Sequence, residues 1–407
     1  MNADRVTFSP SAARGCVKAP PSKSDAHRRL ICAGLAKGES VVRNVARSED
    51  LCATVRCLEA LGAKVVRKED GYLVSGCDPA ARGEALFDCG ECGSTLRFFF
   101  PLALLSDAPA VFSGGGRLME RPMGEYERIC RAQGIGCEKK KGVYRVQGRL
   151  SPGAFEVNGN ISSQYISGLT FALPLLEGDS AVRIVPPFSS APYVRMTLKT
   201  LGEYGVEAKL TNEPAVYVGG GQRYRATDTT VEGDWSNAAF LDAFNTLGGQ
   251  VEVGGLQNDS LQGDRVYKAY FGKIVSSAPT LDLSDCPDLG PVCMALAAAH
   301  HGAVFTGCAR LRLKESDRAA VMAEELEKFG VKTVVEEDRV TVYGGAKPPV
   351  GTLYGHGDHR IVMALSLLCS VTGGRIAGCR AVNKSFPDYF EKLKELGIEV
   401  EEDGMDQ

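Results

Sequence analysis

Apolar positions along the 407-residue chain define two kinds of helical stretch. One kind is apolar nearly all round: SKSDAHRRLICAGLA, CGSTLRFFFPLALL, SSQYISGLTFALPLL, DWSNAAFLDAFNTL, CPDLGPVCMALAAA and DHRIVMALSLLCSV. Helices without a polar face belong in an interior. The other kind ends in glycine and runs into a strand, a polar turn and a second strand. It reads LEALGAKVVRKEDGYLVSG from Leu58, ICRAQGIGCEKKKGVYRVQG from Ile129, LKTLGEYGVEAKLTNEPAVYVGG from Leu198 and LEKFGVKTVVEEDRVTVYGG from Leu326. A truncated copy, LKELGIEVEEDG, begins at Leu393, and a fainter one, AYFGKIVSSAPTLDL, at Ala269. The helix-ending glycines Gly62, Gly134, Gly205, Gly272, Gly330 and Gly397 recur about every 60–70 residues. Glycine there suits a left-handed C-cap, and Asp70-Gly71 and Lys141-Gly142 suit tight hairpin turns.

Six α/β units in a chain too long for one ordinary core predict two lobes of three units, sheets outside and helices within. The Gly- and Arg-flanked stretch Gly219 to Asp234 is the candidate crossover between them.

A net charge of −3 argues against bulk binding to nucleic acid or an anionic membrane. No apolar run reaches spanning length, and Met1 to Pro20 lacks the apolar core of a signal peptide, so a cytoplasmic protein is expected. Of the fourteen cysteines, Cys32, Cys130, Cys293 and Cys369 sit in apolar helices, where a thiol acts as a small hydrophobe. Cys89-x-x-Cys92 has no second pair or nearby His to complete a zinc site, so no metal is expected. His300-His301 reads as the end of an Ala-rich helix.

The chemistry concentrates at helix starts. The positive end of the helix dipole normally attracts acids, yet Lys23, Arg28, Arg97, Arg121, Lys314, Arg318, Arg360 and Lys384 all lie at or near such starts. Each cation there is unfavourable by a few tenths to about 1 kcal/mol. Eight together call for an anionic ligand held by N–H groups and cations jointly. Gly93-Ser94-Thr95 and Ser162-Ser163-Gln164 would let a ligand approach the backbone. Asp288, after Pro287, and Glu315, between Lys314 and Arg318, are the candidate acid–base groups; Asp50 and Asp358 read as helix caps. Glu315 and Arg318 are spaced as an i,i+3 pair on one helical face. An acid beside two cations stays ionised near neutrality, as a base must.

Eight segments in order resemble the EPSP synthase (3-phosphoshikimate 1-carboxyvinyltransferase) family over nearly the full length. They are APPSKSDAHR at Ala19 to Arg28, CGECGSTLRF at Cys89 to Phe98, ERPMG at Glu120 to Gly124, SSQY at Ser162 to Tyr165, SAPY at Ser190 to Tyr193, LKESDR at Leu313 to Arg318, GDHR at Gly357 to Arg360 and NKSFPDYF at Asn383 to Phe390. The resemblance implies two inverse α/β barrel lobes, 20–232 and 1–19 plus 233–407, that close over phosphoenolpyruvate and shikimate 3-phosphate. It implies a monomer with no cofactor.

Residue by residue, the resemblance implies that Lys23, Ser24, Arg28, Ser162, Ser163, Gln164, Ser190, Tyr193, Asp288 and Lys314 bind shikimate 3-phosphate. Lys23, Gly93, Arg97, Arg121, Gln164, Arg318, His359, Arg360 and Lys384 are implied for phosphoenolpyruvate. Asp288 is implied as the base for the substrate hydroxyl, and Glu315 with Lys23 as proton donor and acceptor at the methylene carbon. Two departures bear on fine contacts: Glu91 stands where the family often has a neutral residue, and Arg310 where some members carry Asn. The alternatives are the related UDP-N-acetylglucosamine enolpyruvyl transferase, whose reactive Cys loop has no clear counterpart here, and a non-catalytic phosphometabolite-binding repeat protein, which leaves Asp288 and Glu315 unexplained.

Overall fold

A computed structural model describes residues 4–402. The chain forms two compact units: Pro21 to Glu232, and the N-terminal segment through Pro20 together with Gly233 onwards. Each has its own hydrophobic core. Among the described residues no helix is long and apolar enough to cross a membrane.

The first unit contains α1 (Lys23–Leu35), α2 (Glu49–Leu61), α3 (Gly93–Ala103), α4 (Gly124–Ala132), α5 (Ser163–Ala172) and α6 (Ala191–Glu203). The apolar helices α1, α3 and α5 are buried almost entirely, whereas α2 and α6 leave a polar side uncovered. Three four-stranded sheets accompany them. In the second, strand 85–88 runs parallel to 110–113, which pairs antiparallel with 143–147 and through it with 136–140. The parallel pair needs a crossover, and α3 supplies it. Strands 154–158, 180–185, 215–218 and 208–210 repeat the pattern around α5. The first sheet takes its parallel strand, Thr229–Thr230, from the far end of the unit.

Local chemistry explains the punctuation. Gly62, Gly134 and Gly205 all have positive φ where their helices end. Lys141 and Gly142, at φ 49° and 75°, make the two-residue turn expected between 136–140 and 143–147. The neighbouring hairpin departs from expectation: Glu69 and Asp70 form the turn, and Gly71 is the first residue of its strand, paired with Lys68. Glycine is required there for a different reason, since a Cβ would lie 2.0 Å from the Val42 carbonyl oxygen.

The second unit contains α7 (Trp235–Asp242), α8 (Tyr267–Ser276), α9 (Gly290–Ala299), α10 (Arg318–Lys328), α11 (His359–Thr372) and α12 (Tyr389–Glu395). Strands 280–282, 303–306, 339–342 and 333–335 make a sheet of the same order as those above. In another, the N-terminal strand Arg5–Phe8 fills the inner position between 374–377 and 400–402.

The faint copy from Ala269 is corrected by the fold. Gly272 lies inside α8 and does not end it, and strand 280–282 belongs to the following sheet. No hairpin follows α8; strand 250–254 pairs instead with Arg14–Lys18, giving a two-stranded sheet.

Candidate active site

In the first unit Lys23 opens buried α1, Arg28 and Arg97 lie a turn into α1 and α3, and Arg121 follows the 3₁₀ turn Leu118–Glu120 just before α4. Ser22 caps α1 by accepting from the Asp25 amide, which makes Lys23 the first helical residue. Its ammonium lies 2.7 Å from Asp50 Oδ2. Asp50 does not cap α2, a role taken by Ser48; it is the counter-ion of Lys23. Arg28, one turn on, donates to Ser24 O, Tyr193 O and Thr197 Oγ1 at 2.6, 2.9 and 2.9 Å and lies over the Phe98 ring at 5.4 Å. Burial pulls its pKa down to about 10, against the opposing pull of Asp25. Three of its five N–H groups are committed to protein.

At the start of α3, Gly93 leaves room for Arg121: a Cβ there would lie 2.5 Å from the Arg121 guanidinium. Ser94 Oγ accepts from Gln164 Nε2 at 2.8 Å, and Gln164 Oε1 accepts from Arg97 at 2.6 Å. The same Arg97 donates to Pro122 O and stands 5.1 Å over the Tyr165 ring. Ser162 caps α5, with buried Ser163 as its first residue. Ser190, before α6, is buried with φ +57°, a left-handed conformation few non-glycine residues adopt. Four local groupings result, Lys23–Asp50, Gly93–Arg121, Ser94–Gln164–Arg97 and Ser24–Arg28–Tyr193, in which Asp50 and Ser94 join residues expected at the site.

A buried network ties α1, α2 and α3 beneath these groups. His27 Nδ1 meets Thr54 Oγ1 at 2.7 Å, Thr54 meets Thr95 at 2.8 Å, and His27 Nε2 lies 3.7 Å from Cys92 Sγ. The fold therefore brings a histidine to Cys92 that sequence spacing does not reveal. His27, Asp50 and Cys92 could face a common ion. Burial, aided by Asp50, pushes the Cys92 thiol up to about 12, so it stays protonated at neutral pH. Burial, with Lys23 and Arg28 nearby, keeps His27 well below its ordinary value and neutral.

The second unit builds its cluster around Arg318, the first residue of α10. The Arg318 side chain is 2 % exposed and binds three carboxylates: Asp288 at 2.7 Å, Glu315 at 2.9 Å and Asp358 at 2.8 Å. Burial opposes its charge, but Asp358, Glu315 and Asp288 more than offset this and raise its pKa. Lys314 also reaches Asp288, at 3.1 Å; burial pulls this ammonium below the usual lysine range, with Asp288 opposing. Arg360 donates to Asn237 Oδ1 at 2.8 Å and stands 3.8 Å from Asp288. Lys384 donates to Gly357 O at 2.6 Å, and His359, buried, lies 3.8 Å from Asp358. Asp288, Lys314, Glu315, Arg318, His359 and Arg360 are therefore one assembly, with Lys384 joined through Gly357.

Two local expectations change here and one holds. Glu315 precedes α10 instead of sharing its face, since Asp317 is the N-cap. Lys384 ends a 3₁₀ turn rather than starting a helix. Asp358 does cap α11, accepting from Arg360 N at 2.9 Å, and it also binds Arg318 and Ser316. Asn237 and Ser316 had no signal in the sequence, because their partners are 123 and 42 residues away.

Asp288, at 24 % side-chain exposure, is held by cations yet open to solvent, whereas Asp358 at 0 % is sealed. One carboxylate can meet a ligand; the other is committed to Arg318, Ser316 and the start of α11. A separate 660 Å³ cavity, lined by Leu35, Leu105, Leu175 and Tyr224, lies at the opposite ends of α1, α3 and α5 and shares none of these residues.

An α/β fold with tethered carboxylates among cations, most of them near helix starts, fits an acid–base enzyme for anionic substrates. The chain belongs to the EPSP synthase (3-phosphoshikimate 1-carboxyvinyltransferase) family, whose model matches residues 9–393. It is 37% identical over 418 residues to the 3-phosphoshikimate 1-carboxyvinyltransferase of Clostridium kluyveri, covering 98% of both chains. It is 36% identical to that of Clostridium beijerinckii, covering 95% of this chain and 96% of the relative. An EPSP synthase structure from Acinetobacter baumannii shares the fold with a TM-score of 0.78 at 22% identity, covering 98% of this chain and 99% of that one. The protein is a transferase acting in the shikimate pathway by carboxyvinyl transfer, so neither alternative reading is favoured.

Proposed function

We propose that the carboxyvinyl group comes from phosphoenolpyruvate and is attached to the 5-hydroxyl of shikimate 3-phosphate, releasing phosphate, and that the residues named above carry it. The observation that carries the reading is Asp288, gripped by Lys314 and Arg318 yet open to solvent. In this reading Glu315, with Lys23, protonates the methylene carbon of phosphoenolpyruvate, leaving a cation-like centre. The acceptor hydroxyl attacks that centre while its proton passes to Asp288, giving a tetrahedral phosphate ketal. A methyl proton then returns to the Glu315 and Lys23 pair as phosphate leaves, which restores the enol ether. Both proton transfers need ionisable groups at the reacting atoms, and the leaving phosphate needs preorganised cations.

Arg121, Arg318, Arg360 and Lys384 supply those cations, with Gly93, Arg97, Gln164 and His359 completing the donor side. Ser24, Arg28, Ser162, Ser163, Ser190, Tyr193 and Lys314 serve the phosphorylated acceptor. Each unit is read as an inverse α/β barrel lobe of three repeats, which the order shared by the five four-stranded sheets supports; the two-stranded sheet of the second unit departs from it.

Calorimetry on two variants tests the acceptor assignment. Ser163→Ala and Lys314→Ala each remove a donor to a phosphate, so each is expected to weaken shikimate 3-phosphate binding by about 1.5–3 kcal/mol. Wild-type affinity in both variants contradicts this placement.

A further inference from the structure

Helix α10 grips the 354–360 segment at both of its ends. At its start Arg318 binds Asp358. In its last turn Glu325, whose side chain is 0 % exposed, binds the same segment through His356. The Glu325 carboxylate accepts from the Tyr354 amide at 3.0 Å, meets His356 Nε2 at 2.8 Å, and takes Lys328 Nζ on both oxygens at 2.8 and 2.9 Å. A buried carboxylate is tolerated when its oxygens are paired in this way.

What Glu325 holds is a strained turn. His356 sits at φ +49° and Gly357 at φ +66°. The first conformation is uncommon for a residue with a side chain and persists only where its surroundings impose it. Gly357 O accepts from Lys384 Nζ at 2.6 Å, and Asp358 and Arg360 follow directly. The turn therefore stands between the buried carboxylate on one side and two cations of the site on the other.

We propose that Glu325, acting through His356, is a positioning residue for Lys384 and Arg360. The imidazole–carboxylate contact fixes the 356–357 turn, the turn fixes the Gly357 carbonyl, and the carbonyl aims the Lys384 ammonium. In this role Glu325 and His356 act through the turn, without contacting substrate themselves. The proposal rests on the assignment of Lys384 and Arg360 to phosphoenolpyruvate.

Steady-state kinetics of full-length variants test it. His356→Asn keeps a residue that tolerates left-handed φ but is too short to reach Glu325, so the backbone survives while the contact goes. Glu325→Gln removes the charge from the other side, and His356→Gln restores a side-chain donor. The KM for phosphoenolpyruvate is expected to rise about tenfold in His356→Asn and in Glu325→Gln, as for a small misalignment of a binding group. The KM for shikimate 3-phosphate should stay within about twofold, the double variant should be no worse than either single one, and His356→Gln should recover most of the loss. Lys384→Ala is the control. An unchanged phosphoenolpyruvate KM in the two contact variants, with a raised one in Lys384→Ala, overturns the positioning role, as does a parallel rise in both KM values. An unchanged KM in all three overturns the assignment of Lys384 and the proposal with it.

Discussion

Arg318→Ala is expected to lower the stability of the second unit by about 3–5 kcal/mol, the scale of breaking a buried ion pair on one side, and to leave no measurable turnover. The guanidinium is the common partner of Asp288, Glu315 and Asp358. Removing it leaves three carboxylates gathered with one of them sealed from water, and Lys314, already pulled below the usual lysine range by burial, is left as the nearest compensation. Asp358 also caps α11, so its displacement should loosen the start of that helix and Arg360 with it. Melting should fall by roughly 6–20 °C for a unit of this size. Arg318→Lys should recover part of the stability and little turnover, because an ammonium cannot present a planar fork to several carboxylates. Calorimetry checks this; a variant that melts with the wild type contradicts the central place given to Arg318.

Asp288→Asn is expected to bind both substrates and to turn over about 10²–10⁴-fold more slowly, the scale of a lost general base. The amide keeps the shape but cannot take the hydroxyl proton. A pH effect should accompany the rate effect. Asp288 raises the Lys314 pKa against the lowering caused by burial; without its charge Lys314 loses its proton at lower pH. Affinity for shikimate 3-phosphate should therefore fall off on the alkaline side at a lower pH than in the wild type. Near-normal turnover with a raised KM means that Asp288 only positions the acceptor.

The periodic parts of the fold were legible where local chemistry decides them. Gly62, Gly330 and Gly397 read correctly as left-handed helix ends because no other residue adopts that conformation so cheaply. Gly272 misread because glycine is also tolerated inside a helix, and nothing local shows that the partner of strand 250–254 is Arg14–Lys18, more than two hundred residues away. Asp70-Gly71 looked like a turn, although Gly71 is dictated by the approach of Val42 O.

In the site, cations at helix starts were readable because they oppose the dipole. Asp50 and Asp358 were not separable from ordinary caps: both stand at helix starts, and only the fold shows that one pairs with Lys23 and the other with Arg318. Glu325 and His356, 31 residues apart, carried no signal at all.

The most direct measurement of the central claim follows phosphate and enol ether together when purified protein meets phosphoenolpyruvate and shikimate 3-phosphate. The account predicts phosphate released one for one with a new enol ether on the acceptor, and only when both substrates are present. Release from phosphoenolpyruvate alone, release with UDP-N-acetylglucosamine in place of shikimate 3-phosphate, or binding of both without release would contradict it.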